Sequence, residues 1–318
     1  MDSNPKNILT IAFYNLENLY DTENDSMTND DDFLPTADRR WTNKRYDRKL
    51  YKIGTAISQI GKHESAYLPA LIGLAEVENK TVLRDLIKSK DLSEHNYDFV
   101  HYDSYDERGI DVALLYNKDL FKLESSEIFP VLLEDEFKTR DFTRDVLLVT
   151  GKLQGELISV VLNHWPSRRE GEVLSGPKRQ AAAEINVHIV EKLRLVHNDP
   201  KIVIMGDFND NPDDSSITYL TDKTGFYNAV KTVWSIDKGS QNHNFNWNFF
   251  DQMIISPNFF KPASDSLKFE KAEVFNEKFL TQYNGKFAGQ PYRTYAGKRY
   301  KGGFSDHFPV YILLSKGV

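Results

Sequence analysis

The chain contains no cysteine. That excludes disulfide bridges, thiolate nucleophiles and cysteine-ligated zinc together. No stretch reaches the ~18 consecutive apolar residues that a membrane-spanning helix needs, so no integral membrane segment is expected. The opening MDSNPKNILTIAFYN has no basic stretch ahead of an apolar one with a small-residue cleavage site, so it does not read as a secretory leader. The absence of cysteine and of a leader leans towards the cytoplasm; a chain whose leader had been removed would read the same way. A basic excess is missing too: 47 acidic residues stand against 40 basic ones, for a net charge of -7. A protein that holds nucleic acid mainly by charge carries a strong basic excess, so the composition leaves room only for a locally basic cleft on an acidic body. No repeat, low-complexity run or linker divides the 318 residues. The whole chain, 1–318, is therefore read as one domain. Its 40% hydrophobic content is enough for a sizeable core. No segment announces a protein partner.

What is present is a succession of short apolar runs. ILTIAFYN (Ile8 to Asn15) and ALIGLAEV (Ala70 to Val77) read as strands. Between them lies a polar, acidic loop, DTENDSMTNDDDFLPTADRR, which lacks the spacing of a calcium-binding EF-hand and is read as surface. Leu50, Ile53, Gly54, Ile57 and Ile60 fall on one helical face. Asn79 is placed to cap a short helix that turns Val82, Leu83, Leu86 and Ile87 inward. The strands YDFVHY, DVALLY, FKLESSEIFPVLL, DVLLVTGKL and ELISVVLNH follow, the last two joined by a hairpin turn at KLQGEL. A helix is expected from about Gly176 to His197. After it come the strand in KIVIMGDFNDNP and late strands over Asn246 to Ser256 and His307 to Leu314. This order suits sheets packed together with helices outside.

Polar residues recur at the ends of these strands. Asn15 and Glu17 follow the first, and Glu76 closes the second. A later strand ends in NHWPSR, with His164, and the next ends in GDFND, with Asp207 and Asn209. Asp251 opens a late strand; Asp306 and His307 open the last. Taken singly, a stretch such as GDFND reads equally as a turn, because Asn and Asp make turns through local hydrogen bonds, and as a metal or phosphate site at the mouth of a strand. Taken together, these ends describe convergence on one rim. Asn, Asp, Glu and His suit a hard cation such as Mg²⁺ that shares substrate phosphate oxygens. They also suit acid–base work by a histidine held by a carboxylate. Asp210, Asp213 and Asp214 are read as solvated turn residues.

The motifs FYNLENL, GLAEVEN, RGIDVALLY, NHWPSR, GDFND, DQMIIS and GGFSDHFPV, in this order, resemble those of the endonuclease/exonuclease/phosphatase superfamily. The resemblance spans Asn15 to Pro309. It implies a four-layer α/β/β/α sandwich: two packed, mostly antiparallel mixed sheets flanked by helices, with the site at one edge. It implies metal ligation at Glu76, with Asn15, Asp306 and Glu17 nearby. It implies a catalytic His307 oriented by Asp251, contact of Asp207 with the attacking water or the metal, and phosphate contacts from His164 and Asn209. Arg108 and Arg168 are candidate phosphate forks. Arg293, in the basic aromatic stretch YRTYAGKRYKGG with Lys298, Arg299 and Lys301, is a candidate guide for a polyanion.

The expected activity is hydrolysis of a phosphate ester dependent on Mg²⁺, with Mn²⁺ or Ca²⁺ as alternatives, by in-line attack of water. Either His307 or Asp207 takes the water's proton. A phosphodiester, DNA or RNA included, is the first expectation for the substrate. A phosphomonoesterase or a sphingomyelinase-like lipid phosphodiesterase is the alternative within enzymes. The proline-, alanine- or tryptophan-rich signature of the inositol phosphatases is not clear around GGFSDHFPV, and no apolar hairpin favours lipid. A dead binding protein on the same fold is the remote reading, since fold alone does not guarantee activity.

Overall fold

Side chains on a strand alternate between two faces. Along Lys201–Asp207 both faces are apolar, with Val203 and Met205 on one and Ile202 and Ile204 on the other. Such a strand needs cover on both sides, and this requirement sets the architecture. The structure, a computed structural model, describes residues 7–134, 137–261 and 263–317. In chain order the sheet strands are β1 (Ile8–Leu19), β2 (Leu71–Val77), β3 (Tyr97–His101), β4 (Asp111–Asn117), β5 (Phe121–Phe129) and β6 (Val146–Leu153). They continue as β7 (Glu156–His164), β8 (Lys201–Asp207), β9 (Tyr227–Asn228), β10 (Asp251–Ile255), β11 (Leu267–Val274) and β12 (Val310–Lys316). One six-stranded sheet has the order β11-β12-β1-β2-β4-β3; the other is β9-β10-β8-β7-β6-β5. Both are mixed. β1 runs parallel to β2 and antiparallel to β12, and β8 parallel to β7 and antiparallel to β10.

The two sheets meet face to face. At Gly73 on β2 an added Cβ would lie 2.9 Å from Leu162, Met205 and Phe13, so only glycine allows this approach. Helices α1 (Asn43–Gln59) and α2 (Lys80–Ile87) join the core cluster of the first sheet through Ile53, Ile57, Leu83 and Leu86. Helices α3 (Glu172–Val196) and α4 (Ser215–Thr224) cover the outer face of the second, with Ala182, Ile189 and Ile217 against Val161, Ile202 and Ile204. The result is the four-layer sandwich. Asn79 caps α2 as its sequence position implies, accepting from the backbone N–H of Thr81 at 2.7 Å and of Val82 at 3.1 Å. Asn79→Ala should cost about 1 kcal/mol; a thermal unfolding midpoint equal to that of the wild type would contradict this.

Several boundaries differ from the sequence expectation. Helix α3 begins at Glu172 and carries Pro177 inside it. Its first turn is held by Arg179, which donates to Ser175 Oγ at 2.8 Å and to Glu172 Oε1 at 2.7 Å. The run Phe121 to Leu133 breaks after Phe129, and Leu133–Glu134 instead pairs with Arg140–Asp141. Asn246 to Ser256 is two elements: Asn246–Asn248 forms a hairpin with Gln241–His243, and β10 starts at Asp251. Regular pairing in the last strand starts at Val310. The strand β11 has no counterpart among the expected elements, because a register shift between Phe269 and Lys271 breaks its alternation. The acidic loop is not plain surface either. Phe33 within it is buried and lies 4.5 Å from the Tyr20 ring.

Candidate active site

The end of β8 is the centre. Register places Asp207 opposite His164 on β7 and opposite Asp251 on β10, so three strand ends present three ionisable side chains in a row. His307 enters from the segment before β12. Its Nδ1 lies 2.6 Å from Asp251 Oδ2, and Asp251 is fully buried. Asp207 Oδ2 lies 4.0 Å from His307 Nε2 and 3.9 Å from His164 Nε2. Those gaps are too long for hydrogen bonds, and they leave the two imidazoles and the carboxylate aimed at a common point. Asn15 Nδ2 donates to the same Oδ2 at 2.9 Å, joining the two sheets. Asn209 N donates to Asp207 Oδ1 at 3.0 Å, and Asn209 Nδ2 to Trp165 O at 3.0 Å.

The first sheet contributes an acidic rim through irregular backbone. β1 bulges between Asn15 and Leu19, and β2 between Ala75 and Val77. Glu17, Asn18 and Glu76 at these bulges, and Asn209 beyond β8, all have positive φ, between 50° and 62°. Left-handed backbone is costly outside glycine and collects at functional sites. Here it turns Glu17 and Glu76 out of the alternation. Glu76 Oε2 accepts from Asn18 N at 2.8 Å. Glu17 is occupied within the protein: Thr294 N donates to Oε2 at 2.5 Å and Tyr295 N to Oε1 at 3.3 Å. Asn15 is too, since its Oδ1 accepts from Glu17 N at 2.9 Å. Asp306 Oδ2 receives Arg293 Nη2 at 2.6 Å.

The arginines differ in their commitments. Arg108 donates to Asn18 Oδ1 at 2.7 Å and lies 3.6 Å from Glu76 Oε1. Arg168 donates to Asn209 O at 2.7 Å and to Asp210 Oδ1 at 2.5 Å, and it pairs with Asp214 and Glu172. Its guanidinium therefore braces the loop after β8. Asp210 is not a solvated turn residue. It is buried, accepts from Ser216 Oγ, and lies 2.7 Å from Nε of the buried Arg179. Asp214 is not simply solvated either, since its carboxylate caps Asn211 N at 2.6 Å and meets Arg168.

Three further residues of the site do not stand out in the sequence. Lys49 is buried beneath the rim and donates to Thr294 Oγ1 at 2.6 Å and Phe304 O at 2.5 Å. A lysine on the inward face of α1, four residues before Ile53, is the available signal. Arg144 is buried and donates to Asp106, His164 O and Trp165 O, fixing the His164 turn; no local pattern marks it. Arg39, from the acidic loop, reaches the cleft wall.

These groups line one cleft of about 720 Å³. Glu17, Glu76, Asp306, His164, Asp207, Asn209 and His307 line it, and Arg39, Arg108, Arg168, Arg169 and Arg293 surround them. Asn15 and Asp251 lie behind the wall. Burial pushes the Asp207 carboxyl up to about 6, against the pull of His307. Burial, then the neighbouring Asp306, pushes Glu17 up to about 7. Burial alone would lower His307, but Asp251 and Asp207 hold it well above the usual histidine range. Burial and the Arg144 and Arg108 charges hold His164 well below that range. Burial lowers Lys49 to about 8 in spite of Glu17 and Asp306.

A sandwich with two histidines and a carboxylate on an acidic, arginine-rimmed cleft is the arrangement of a phosphate-ester hydrolase. The chain belongs to the Endonuclease/Exonuclease/phosphatase family, whose description it matches over residues 10–316. Its fold is similar to that of D. rerio TDP2 humanized by 14 mutations, at 14% identity and TM-score 0.60, covering 98% of this chain and 100% of that one. D. rerio TDP2 complexed with single strand DNA product is similar at 13% identity and TM-score 0.58, over 97% of this chain and 99% of that one. The mannosyl-6-phosphatase of Bacteroides thetaiotaomicron is similar at 18% identity and TM-score 0.56, over 96% and 99%. No curated protein sequence matches the chain.

Proposed function

We propose that this protein is a divalent-metal-dependent phosphodiesterase, and that a single nucleic-acid strand is the substrate class its cleft fits best. The observation that carries hydrolysis is Asp207 Oδ2, set 3.9 and 4.0 Å from the Nε2 atoms of His164 and His307. The space among them accepts one water or one phosphate oxygen. The rim arginines give the cleft mouth positive charge that favours a substrate with more than one phosphate, even with the forks of Arg168 and Arg293 held by carboxylates. The complex of TDP2 with a DNA strand supports this choice of class.

The donor set on the acidic side is all oxygen, which suits Mg²⁺ and then Mn²⁺ or Ca²⁺. Glu76 and Asp306 are the residues that would hold the ion; Asn15 and Glu17 shape the wall beside them, since the polar atoms of both already bond within the protein. When bound, such an ion polarises a phosphate oxygen and offsets its growing charge. The chain's own groups do the rest. Asp207 accepts the proton of the attacking water. His307, with Nδ1 committed to Asp251, presents its Nε2–H to a phosphate oxygen. His164 Nε2 and Asn209 face the other oxygens, and this fixed polarity favours the transition state.

A second reading is hydrolysis of a sugar phosphate monoester. Gln241, Asn246 and Asn248 make one cleft wall rich in amides, which suits hydroxyl groups, and one structural neighbour is a mannosyl-6-phosphatase. Turnover of bis-p-nitrophenyl phosphate and of p-nitrophenyl phosphate, each with Mg²⁺ or Mn²⁺ and with EDTA, separates the readings. The diester should be cleaved faster, and EDTA should abolish the reaction. Monoester cleavage alone would move the protein to the second reading. Full activity in EDTA would remove the metal from both.

A further inference from the structure

We propose that His101, Asp103 and Asp111 form a second cation site, outside the catalytic cleft, that takes a zinc-class divalent transition metal and clips the loop between β3 and β4. One ligand atom from each of the three residues lies within 4.8 Å of the others. His101 is the observation that points to a ligand. Its side chain is fully buried at the end of β3, and neither ring nitrogen has a hydrogen-bond partner. Asp103 Oδ1 lies 3.7 Å from Nδ1 and Asp111 Oδ2 lies 3.9 Å from Nε2. A buried imidazole with both nitrogens unmatched is uncommon, because buried polar groups are nearly always paired. Here carboxylates stand close to it at distances too long for hydrogen bonds.

The donor chemistry selects the ion. One imidazole and two carboxylates match the N and O ligands of zinc, whereas Mg²⁺ and Ca²⁺ favour oxygen alone. Asp103 is the exposed member, with 72% of its side chain open, so the ion has an entry path and a place for water. Asp111 is anchored, since Ser104 N donates to both its oxygens at 3.2 Å.

The site has a consequence for the cleft. Residues 102–110 form one loop, and its other end carries Arg108. Asp106 in that loop accepts from Arg108 N at 3.1 Å and from Arg144 Nη1 at 2.9 Å. An ion at His101 and Asp111 would tie the two ends of this loop together and so steady Arg108 at the cleft.

The test is a Zn²⁺ titration of the full chain after EDTA stripping and dialysis, in wild type, D103N and E76Q. Stoichiometry is read by calorimetry, and the His101 ring nitrogens by long-range ¹H–¹⁵N correlation. Asp103 is exposed, so D103N should fold. The expected result is a Zn²⁺ event present in wild type and E76Q that weakens at least about tenfold in D103N, with the His101 ring signals shifting in step with it. Equal stoichiometry and affinity in wild type and D103N would overturn the assignment. So would His101 ring signals that stay in place through saturation.

Discussion

His307→Ala is expected to turn over bis-p-nitrophenyl phosphate about 10²–10⁴-fold more slowly than the wild type, the range for a lost positioned acid–base group. The substitution removes the Nε2–H that faces Asp207 across 4.0 Å, and it leaves the buried Asp251 without the imidazole it orients. The pH profile carries a second signature. Asp207 must be ionised to accept a proton, so in the wild type activity should rise with pH through about 6. The charged His307 lowers the Asp207 pKa. Removing that charge raises it, so the acid limb of the residual activity should move to higher pH. His307 itself must stay protonated to donate, and its raised pKa extends that form through neutral pH. Wild-type turnover in His307→Ala, or an acid limb that does not move, would sink the assignment of Asp207 as base and His307 as donor.

Asp210→Ala should damage stability as strongly as His307→Ala damages turnover. Asp210 and Arg179 are both buried, and their ion pair at 2.7 Å lies under the loop that carries Asn209. Removing one partner of a buried pair strands the other charge, at a cost of about 3–5 kcal/mol. Arg179 keeps Ser175 and Glu172, but Glu172 is largely exposed and Ser175 is neutral. Arg168 would lose one of its carboxylates at the same time. Urea unfolding of the purified variant measures this directly, as a fall in midpoint at unchanged slope. A midpoint equal to that of the wild type would show that Asp210 is dispensable to the fold. The two substitutions differ in what turnover reads, because His307 lines the cleft whereas Asp210 faces the interior.

The polar residues at the strand ends are legible in the amino-acid sequence alone. Apolar runs fix where strands lie, and a strand end projects its side chains from a rigid base. Asp207, His164 and Asp251 are therefore legible as members of a recurring strand-end set, and the ordered motifs carry the family. Capping of α2 by Asn79 is equally local, one side chain against two nearby N–H groups. The tertiary structure decides the rest. Register sets Asp207 opposite both His164 and Asp251, which lie far from it along the chain on either side. Two bulges with left-handed backbone turn Glu17 and Glu76 towards the cleft. Packing between layers makes Asp210, an apparent turn residue, the buried partner of Arg179, and it draws Lys49 and Arg144 beneath the site. Patterns of three or four residues report local geometry, because the hydrogen bonds that create them are local. A charge buried between layers finds its partner across the fold, and that choice is made only when the layers close.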